Sequence, residues 1–242
     1  MADRTLIEWT DATWNPIVGC SVVSAGCINC YAMRLAGTRL RNHPSRAGLT
    51  RPSKAGPVWT GEVRLNERAL LQPARWRKPR RIFVCAHGDL FHEQVPDQWI
   101  DDVWGVMFRE SRHRFQVLTK RSDRSRRWTL NAVCPQHIWC GVSVEDKMRA
   151  DRIVDLVGSD ALTKFLSCEP LLGPLDLEWC LPMLNWVIVG GESGPNARSM
   201  NPDWARSIRD QCAKARVPFF MKQMSRRAPI PADLMVREFP NV

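Results

Sequence analysis

From Val58 onward, short apolar runs alternate with amphipathic stretches, and this alternation is the strongest constraint on what the chain can fold into. Short runs rich in Val, Ile, Phe and Trp, separated by segments with apolar residues three and four apart, make a parallel sheet whose crossovers are helices. The strand candidates are VWTGEVRL at 58–65, RIFVCA at 81–86, RFQVLT at 114–119, HIWCGVSV at 137–144, KFLSC at 164–168, WVIVGG at 186–191 and PFFMK at 218–222. A strand before residue 19 brings the expectation to eight. Pro96 and Asp97 start a helix with Ile100, Val103, Trp104, Met107 and Phe108 on its apolar side; Asn201 and Pro202 start another presenting Trp204, Ala205, Ile208 and Cys212. At 242 residues, the economical fold is α/β, a complete or partial (β/α) barrel resembling a TIM barrel, as a single domain over 1–242. Residues 43–57, rich in proline and glycine and without periodicity, are expected to form an exposed basic insertion.

The stretch from Trp14 to Ala32, WNPIVGCSVVSAGCINCYA, gathers Cys20, Cys27 and Cys30 into eleven residues. Thiolates are preferred ligands of iron-sulfur clusters and zinc. Gly19 and Gly26 each precede a cysteine, where the lack of a Cβ lets backbone amides approach the sulfurs. Three local thiols leave one coordination position unassigned. The readings are a cubane 4Fe-4S cluster with one open iron, a zinc site completed by a distant ligand such as His87 or Cys168, and three thiols that only pack. Residues 29–42 read as a helix with Met33, Leu35, Ala36 and Leu40 on its apolar side, so the thiols fall on a loop after the first strand and before a helix.

Active sites of such barrels collect at the carboxyl ends of the strands, and polar residues fall there. Asp89 follows 81–86, Lys120 and Arg121 follow 114–119, Ser143 and Glu145 close 137–144, and Glu169 follows Cys168. Gly190, Gly191 and Glu192 end the 186–191 run, and Lys222 and Gln223 end the last. Tyr31, Asp89 and Lys120 are the catalytic candidates; Ser143, Glu145, Gly190, Gly191 and Glu192 are the cofactor-binding candidates. Each has a plainer reading: Ser143 as a helix N-cap with Asp146, Asp89 as a partner of its own loop amides, Glu169 before Pro170 as a turn. VIVGGESGPNAR also suits a backbone nest for a carboxylate or phosphate. Cys85, Cys134, Cys140, Cys180 and Cys212 read as small buried apolar residues.

The net charge of +10 is unevenly placed. No acid lies between Asp11 and Glu62, nor between Glu67 and Asp89, and seven basic residues from Arg112 to Arg127 meet a single Asp123. Solvated faces explain such runs, and so does a phosphate-binding surface, which the arginine bias and Trp59, Trp76 and Trp128 as stacking platforms favour. The expected nucleic-acid contacts are Arg39, Arg41, Arg80, Arg81, Arg121, Arg126 and Arg127. There is no apolar run of membrane-spanning length and no secretory leader pattern, so a cytoplasmic protein without membrane contact is expected. Nine cysteines, an odd number spread over apparent strands and helices, make a poor disulfide framework and fit a reducing compartment.

IEWTDATWNP, GC with GCINCYA, GDLFHEQVPDQW, FQVLTKR, GVSVE, SCEPLLGPLDL, VIVGGESGPNAR and NPDWARSIRDQC resemble the successive blocks of a phage- and prophage-associated family of unknown function, from Ile7 to Gln223. A second resemblance, in architecture, is to radical S-adenosylmethionine enzymes such as the photoproduct lyases. They too carry three cysteines on the loop after the first barrel strand, spaced by three residues and then two, where this chain has six and then two. That resemblance implies a 4Fe-4S cluster on Cys20, Cys27 and Cys30, S-adenosylmethionine on the open iron, an external reductant, and a radical-type lyase or nucleic-acid-modifying enzyme, with DNA repair as the sharpest version. The reading from another class is a non-enzymatic DNA- or RNA-binding protein with a structural zinc or iron-sulfur site. A metal-dependent hydrolase is disfavoured, since no His and carboxylate set has suitable ligand spacing.

Overall fold

A computed structural model describes residues 5–194 and 196–241. The chain divides into two compact units, Met1–Arg121 and Ser122–Val242.

The first unit is built on three parallel strands, β1 (Ala12–Trp14), β6 (Arg81–Val84) and β7 (Arg114–Thr119), in that order. The residues between β1 and β6 are β2 (Ile17–Val18), α1 (Tyr31–Gly37), β3 (Thr50–Arg51), β4 (Val58–Trp59), β5 (Arg64–Leu65) and α2 (Glu67–Leu70). The crossover from β6 to β7 is α3 (Asp97–Arg109), which buries Ile100, Val103, Trp104 and Met107. Phe108, expected beside them, is 50 % exposed, because Val106 fills the adjoining core position. In the core of the unit the Trp14 indole donates to Ala69 O at 2.7 Å, and Gln116 Nε2 donates to Trp9 O at 3.2 Å.

Two expectations fail in this unit. The run at 58–65 is not one sheet strand. At Gly61 the backbone turns through φ +91°, and its two ends pair antiparallel with different partners, β4 with β3 and β5 with β2. The helix expected over 29–42 stops at Gly37, where a Cβ would sit 2.1 Å from Pro57 Cβ. Beyond it, Thr38 Oγ1 donates to Arg34 O at 2.7 Å, which takes up a carbonyl the helix no longer uses. The 43–57 insertion is exposed over much of its length, but Leu49 and Arg46 are buried within it.

The second unit holds four parallel strands, β8 (Ile138–Ser143), β9 (Thr163–Cys168), β10 (Trp186–Gly190) and β11 (Phe219–Gln223), in that order. Its helices are α4 (Ser122–Thr129), α5 (Asp151–Val157) and α6 (Pro202–Ala215). Every residue of β8 and β10 is buried, as continuous apolar strands covered on both faces should be. Trp186 is the aromatic hub, with ring centroids of Trp139, Phe165, Phe220 and Phe239 at 5.3 to 6.1 Å, and its indole donates to Glu238 O at 2.8 Å. Helix α6 starts as its sequence dictates: Asn201 caps it by accepting from Asp203 N at 2.9 Å, and Pro202 occupies the first turn.

The α/β class with parallel strands is therefore as the alternation implies, with seven parallel strands among the described residues rather than eight. No helix among the described residues is long and apolar enough to cross a membrane.

In β8, Gly141 lies opposite Phe165, and a Cβ there would meet that ring at 2.5 Å. Gly141→Ala should overpack the sheet and cost about 1–3 kcal/mol. Urea denaturation checks this through a lowered midpoint with an unchanged slope; a midpoint equal to wild type would show that the ring is free to move.

Candidate thiol and cation site

In the first unit, β2 ends at Val18 and the chain reaches α1 through a loop carrying all three thiols. Ser24 leads into a 3-10 turn, Ala25–Cys27, and the Cys27 Sγ lies 3.7 Å from Ser24 Oγ. Cys30 is the residue before α1. Burial pushes its thiol up, opposed by backbone N–H groups of Met33 and Ala32 and by the Lys120 ammonium. Burial pushes Cys20 up to about 12, with Asp89 adding and Arg121 opposing; Cys30 and Cys27 add further through mutual repulsion, which places the three thiols in one electrostatic neighbourhood. Cys20 and Cys30 pack on a buried cluster of Val18, Ala32, Met33, Ala36, Leu49 and Trp59.

Arg121, at the end of β7, ties this loop to the β6 end of the sheet. It is 7 % exposed and uses its whole fork. Nε donates to Glu93 Oε1 at 3.2 Å, Nη1 to Asp89 Oδ2 and Cys20 Sγ at 3.3 Å each, and Nη2 to Ser21 Oγ at 2.7 Å and Ser21 O at 3.3 Å. Burial alone would lower its pKa, but Asp89, Cys20 and Glu93 outweigh that and the net shift is upward. Asp89 also accepts from Phe91 N at 3.0 Å, Thr119 Oγ1 at 2.7 Å and Lys120 N at 3.2 Å. His92, 2 % exposed, accepts from Gln94 N at Nδ1, so Nε2 carries the proton given to Ser21 Oγ at 2.9 Å.

Of the catalytic candidates, Lys120 lies beside Cys30, and Asp89 combines its plainer role with that of counter-ion to Arg121. Tyr31 is the first residue of α1; its hydroxyl donates to Ala86 O at 2.7 Å, and its ring stands edge-on to His87 at 6.3 Å. Arg121 corrects an expectation: assigned to a nucleic-acid surface, it is buried, because Asp89 draws it inward. Trp59 and Trp76 are likewise buried rather than open stacking platforms, and Arg80 lies over the Trp76 ring at 4.9 Å. Arg81 is clamped by Asp11 through its backbone N–H and guanidinium. Arg39 and Arg41 are exposed.

The cofactor-binding candidates all belong to the second unit. Ser143 is a β8 residue whose carbonyl accepts from Arg152 Nη1 at 2.7 Å; the helix cap expected there is Asp146, accepting from Met148 N at 2.9 Å. Glu145, 1 % exposed, pairs with Arg152 at 3.1 Å. Glu192 accepts from both the backbone and guanidinium of Arg198, so the loop proposed as an anion nest closes around its own carboxylate. Pro195, within that motif, lies outside the described residues. A Cβ at Gly190 would meet Glu169 Oε1 at 2.4 Å and one at Gly191 would meet Ser225 N at 2.3 Å; Glu169 in turn pairs with Lys222 at 2.9 Å. Arg126 and Arg127 sit exposed on α4, Arg126 donating to Gly158 O and Arg127 paired with Asp123.

Reading the residues alone missed Ser21, Glu93, Arg152 and Arg198. Nothing marks them in the sequence except position, since each lies close to a residue that was singled out.

Among the described residues, no three His, Cys, Asp or Glu side chains are grouped to hold a metal ion as they stand. The donor chemistry nonetheless fits a thiolate-ligated metal: three sulfurs on one loop, a guanidinium on one of them, and backbone N–H groups and an ammonium on another.

A family model described as "Protein of unknown function (DUF5131)" matches residues 4–233, and the chain belongs to that family. No curated protein matches it, and no solved structure does.

Arg121→Met should cost about 3–5 kcal/mol by stranding buried Asp89. Combining it with Asp89→Asn should recover part of that loss, since the two side chains act as one unit. Chemical denaturation of the two single variants and the double variant measures the coupling; strict additivity would mean that the pair contributes nothing jointly.

Proposed function

We propose that this member of the DUF5131 family is an iron-sulfur protein with a 4Fe-4S cluster on Cys20, Cys27 and Cys30, acting on nucleic acid by radical S-adenosylmethionine-type chemistry. The observation that carries the reading is the thiol loop with its cationic neighbour, Arg121 donating to Cys20 Sγ at 3.3 Å. When bound, such a cluster supplies one electron at a time, drawn from an external reductant.

The chain's own residues do the rest. Arg121 beside Cys20 and Lys120 beside Cys30 place positive charge that opposes the burial raising both thiols, and so eases loss of the proton that metal binding requires. Asp89 orients Arg121, and the Tyr31 hydroxyl holds the start of α1 to Ala86, so both act by positioning. Lys120 is the remaining candidate for contact with a reacting group. Binding of S-adenosylmethionine by Ser143, Glu145, Gly190, Gly191 and Glu192 belongs to this proposal. So do the complete or partial (β/α)-barrel reading, a cytoplasmic site of action, and damaged DNA, in preference to RNA, as the substrate.

Exposed Arg34, Arg39, Arg41, Arg51 and Lys54, in a stretch without acids, supply the phosphate-facing charge. The second reading, a non-enzymatic DNA- or RNA-binding protein with a structural zinc or iron-sulfur site, is favoured by one feature: Cys20 and Cys30 pack on a buried cluster, where a metal would lock the loop.

Iron, sulfide and zinc content of anaerobically prepared protein, with electron paramagnetic resonance after dithionite reduction, separates the two. Iron with a reduced-cluster signal that changes on adding S-adenosylmethionine is expected, and Cys30→Ala should lose the iron. Zinc alone, or a signal indifferent to the cofactor, sinks the radical mechanism. For the surface, Arg39→Gln with Arg41→Gln should weaken DNA binding and flatten its salt dependence by about two units of log–log slope. An unchanged slope would remove these two arginines from the interface.

A further inference from the structure

We propose that Arg46 anchors a phosphate-binding site in the first unit, covered in this structure by Ser45 and His87. Within the basic run after the thiol loop, Arg34, Arg39, Arg41, Arg51 and Lys54 are exposed, whereas Arg46 is 4 % exposed. Buried guanidinium groups elsewhere in the chain face carboxylates, Arg121 with Asp89 and Arg152 with Glu145. Around Arg46, among the described residues, every partner is neutral. Nη1 donates to Ser45 Oγ at 2.6 Å and Ser45 O at 3.4 Å, Nη2 donates to His87 Nδ1 at 3.2 Å, and the buried Nε has no acceptor.

The Cys85 thiol nearby is no counter-ion, since burial pushes it up to about 12. Burial also brings the guanidinium down, to about 10, which leaves it charged at neutral pH. A buried charge held only by neutral acceptors, with one donor unused, is electrostatically incomplete. A tetrahedral oxyanion completes it, because the guanidinium fork matches phosphate oxygens two at a time.

The cover over Arg46 is side chain rather than sheet. Ser45 and His87 are each partly exposed, and Ser45 Oγ is also held by the exposed His43 at 2.8 Å. Turning these side chains aside presents Nη1 and Nη2 to an incoming anion without breaking a strand pairing. Inorganic phosphate and a nucleotide phosphate share this chemistry. That the physiological source is a nucleotide rests on the nucleic-acid reading above; the site itself does not.

Thermal melting of the full chain in inorganic phosphate, against chloride at matched ionic strength, reads the site, because a ligand bound only by the folded state raises the melting temperature. The wild type should melt higher in phosphate, saturably. Arg46→Met should lose about tenfold or more in phosphate affinity and melt no lower than wild type in chloride, since no partner charge is stranded. If that variant does not fold, His87→Ala decides: opening Nη2 should tighten phosphate binding by about threefold or more, and unchanged affinity overturns the site. Wild-type melting indifferent to phosphate, or a shift that survives Arg46→Met, also overturns it. Binding of phosphate without binding of DNA would leave the site standing and remove the nucleotide source; DNA binding without any phosphate effect would do the reverse.

Discussion

The first unit depends on the buried guanidinium of Arg121. Arg121 joins the end of β7 to Asp89 after β6, to Glu93, and to Ser21 and Cys20 of the loop after β2. Three chain segments far apart in sequence are thereby fixed by one planar group with five donors. Its burial is tolerable because Asp89 supplies a full counter-charge and the other contacts satisfy the remaining donors. The thiols inherit their position from this arrangement, since Cys20 is one of the groups that Arg121 holds.

The second unit solves the same problem differently. Glu145 and Glu192 are buried carboxylates at strand ends, each given its own arginine from a later segment. Glu169 is matched with Lys222 on β11. Pairing each acid with a nearby base keeps the polar ends of a largely apolar sheet compatible with burial.

Much of this was legible in the residues, for a physical reason. Strands β7 to β11 are continuous apolar runs bounded by polar residues, and their limits fall within a residue or two of the expected ones. The caps Asn201 and Pro202 act locally, so local sequence suffices to place α6. The 58–65 run misled because VWTGEVRL has strand composition throughout, while Gly61 divides it between two partners that only the tertiary structure supplies. Helix α1 ended early for a similar reason, as periodicity continues past Gly37 but Pro57 occupies its flank. In the candidate site, the cysteines announced themselves by spacing. Arg121 did not: charge runs look alike in sequence, and a neighbouring carboxylate such as Asp89 decides which arginine turns inward. Arg46 is hidden the same way, among exposed arginines of the same run.

The contact of Gly37 with Pro57 links the end of α1 to the far side of the insertion, twenty positions along the chain. The space that a side chain at 37 would need is the space the proline ring fills. Neither position can drift independently: a larger residue at 37 is admissible only when the ring at 57 is lost. In related chains these two sites should covary, and the insertion and the thiol-bearing helix should be exchanged between relatives as one cassette.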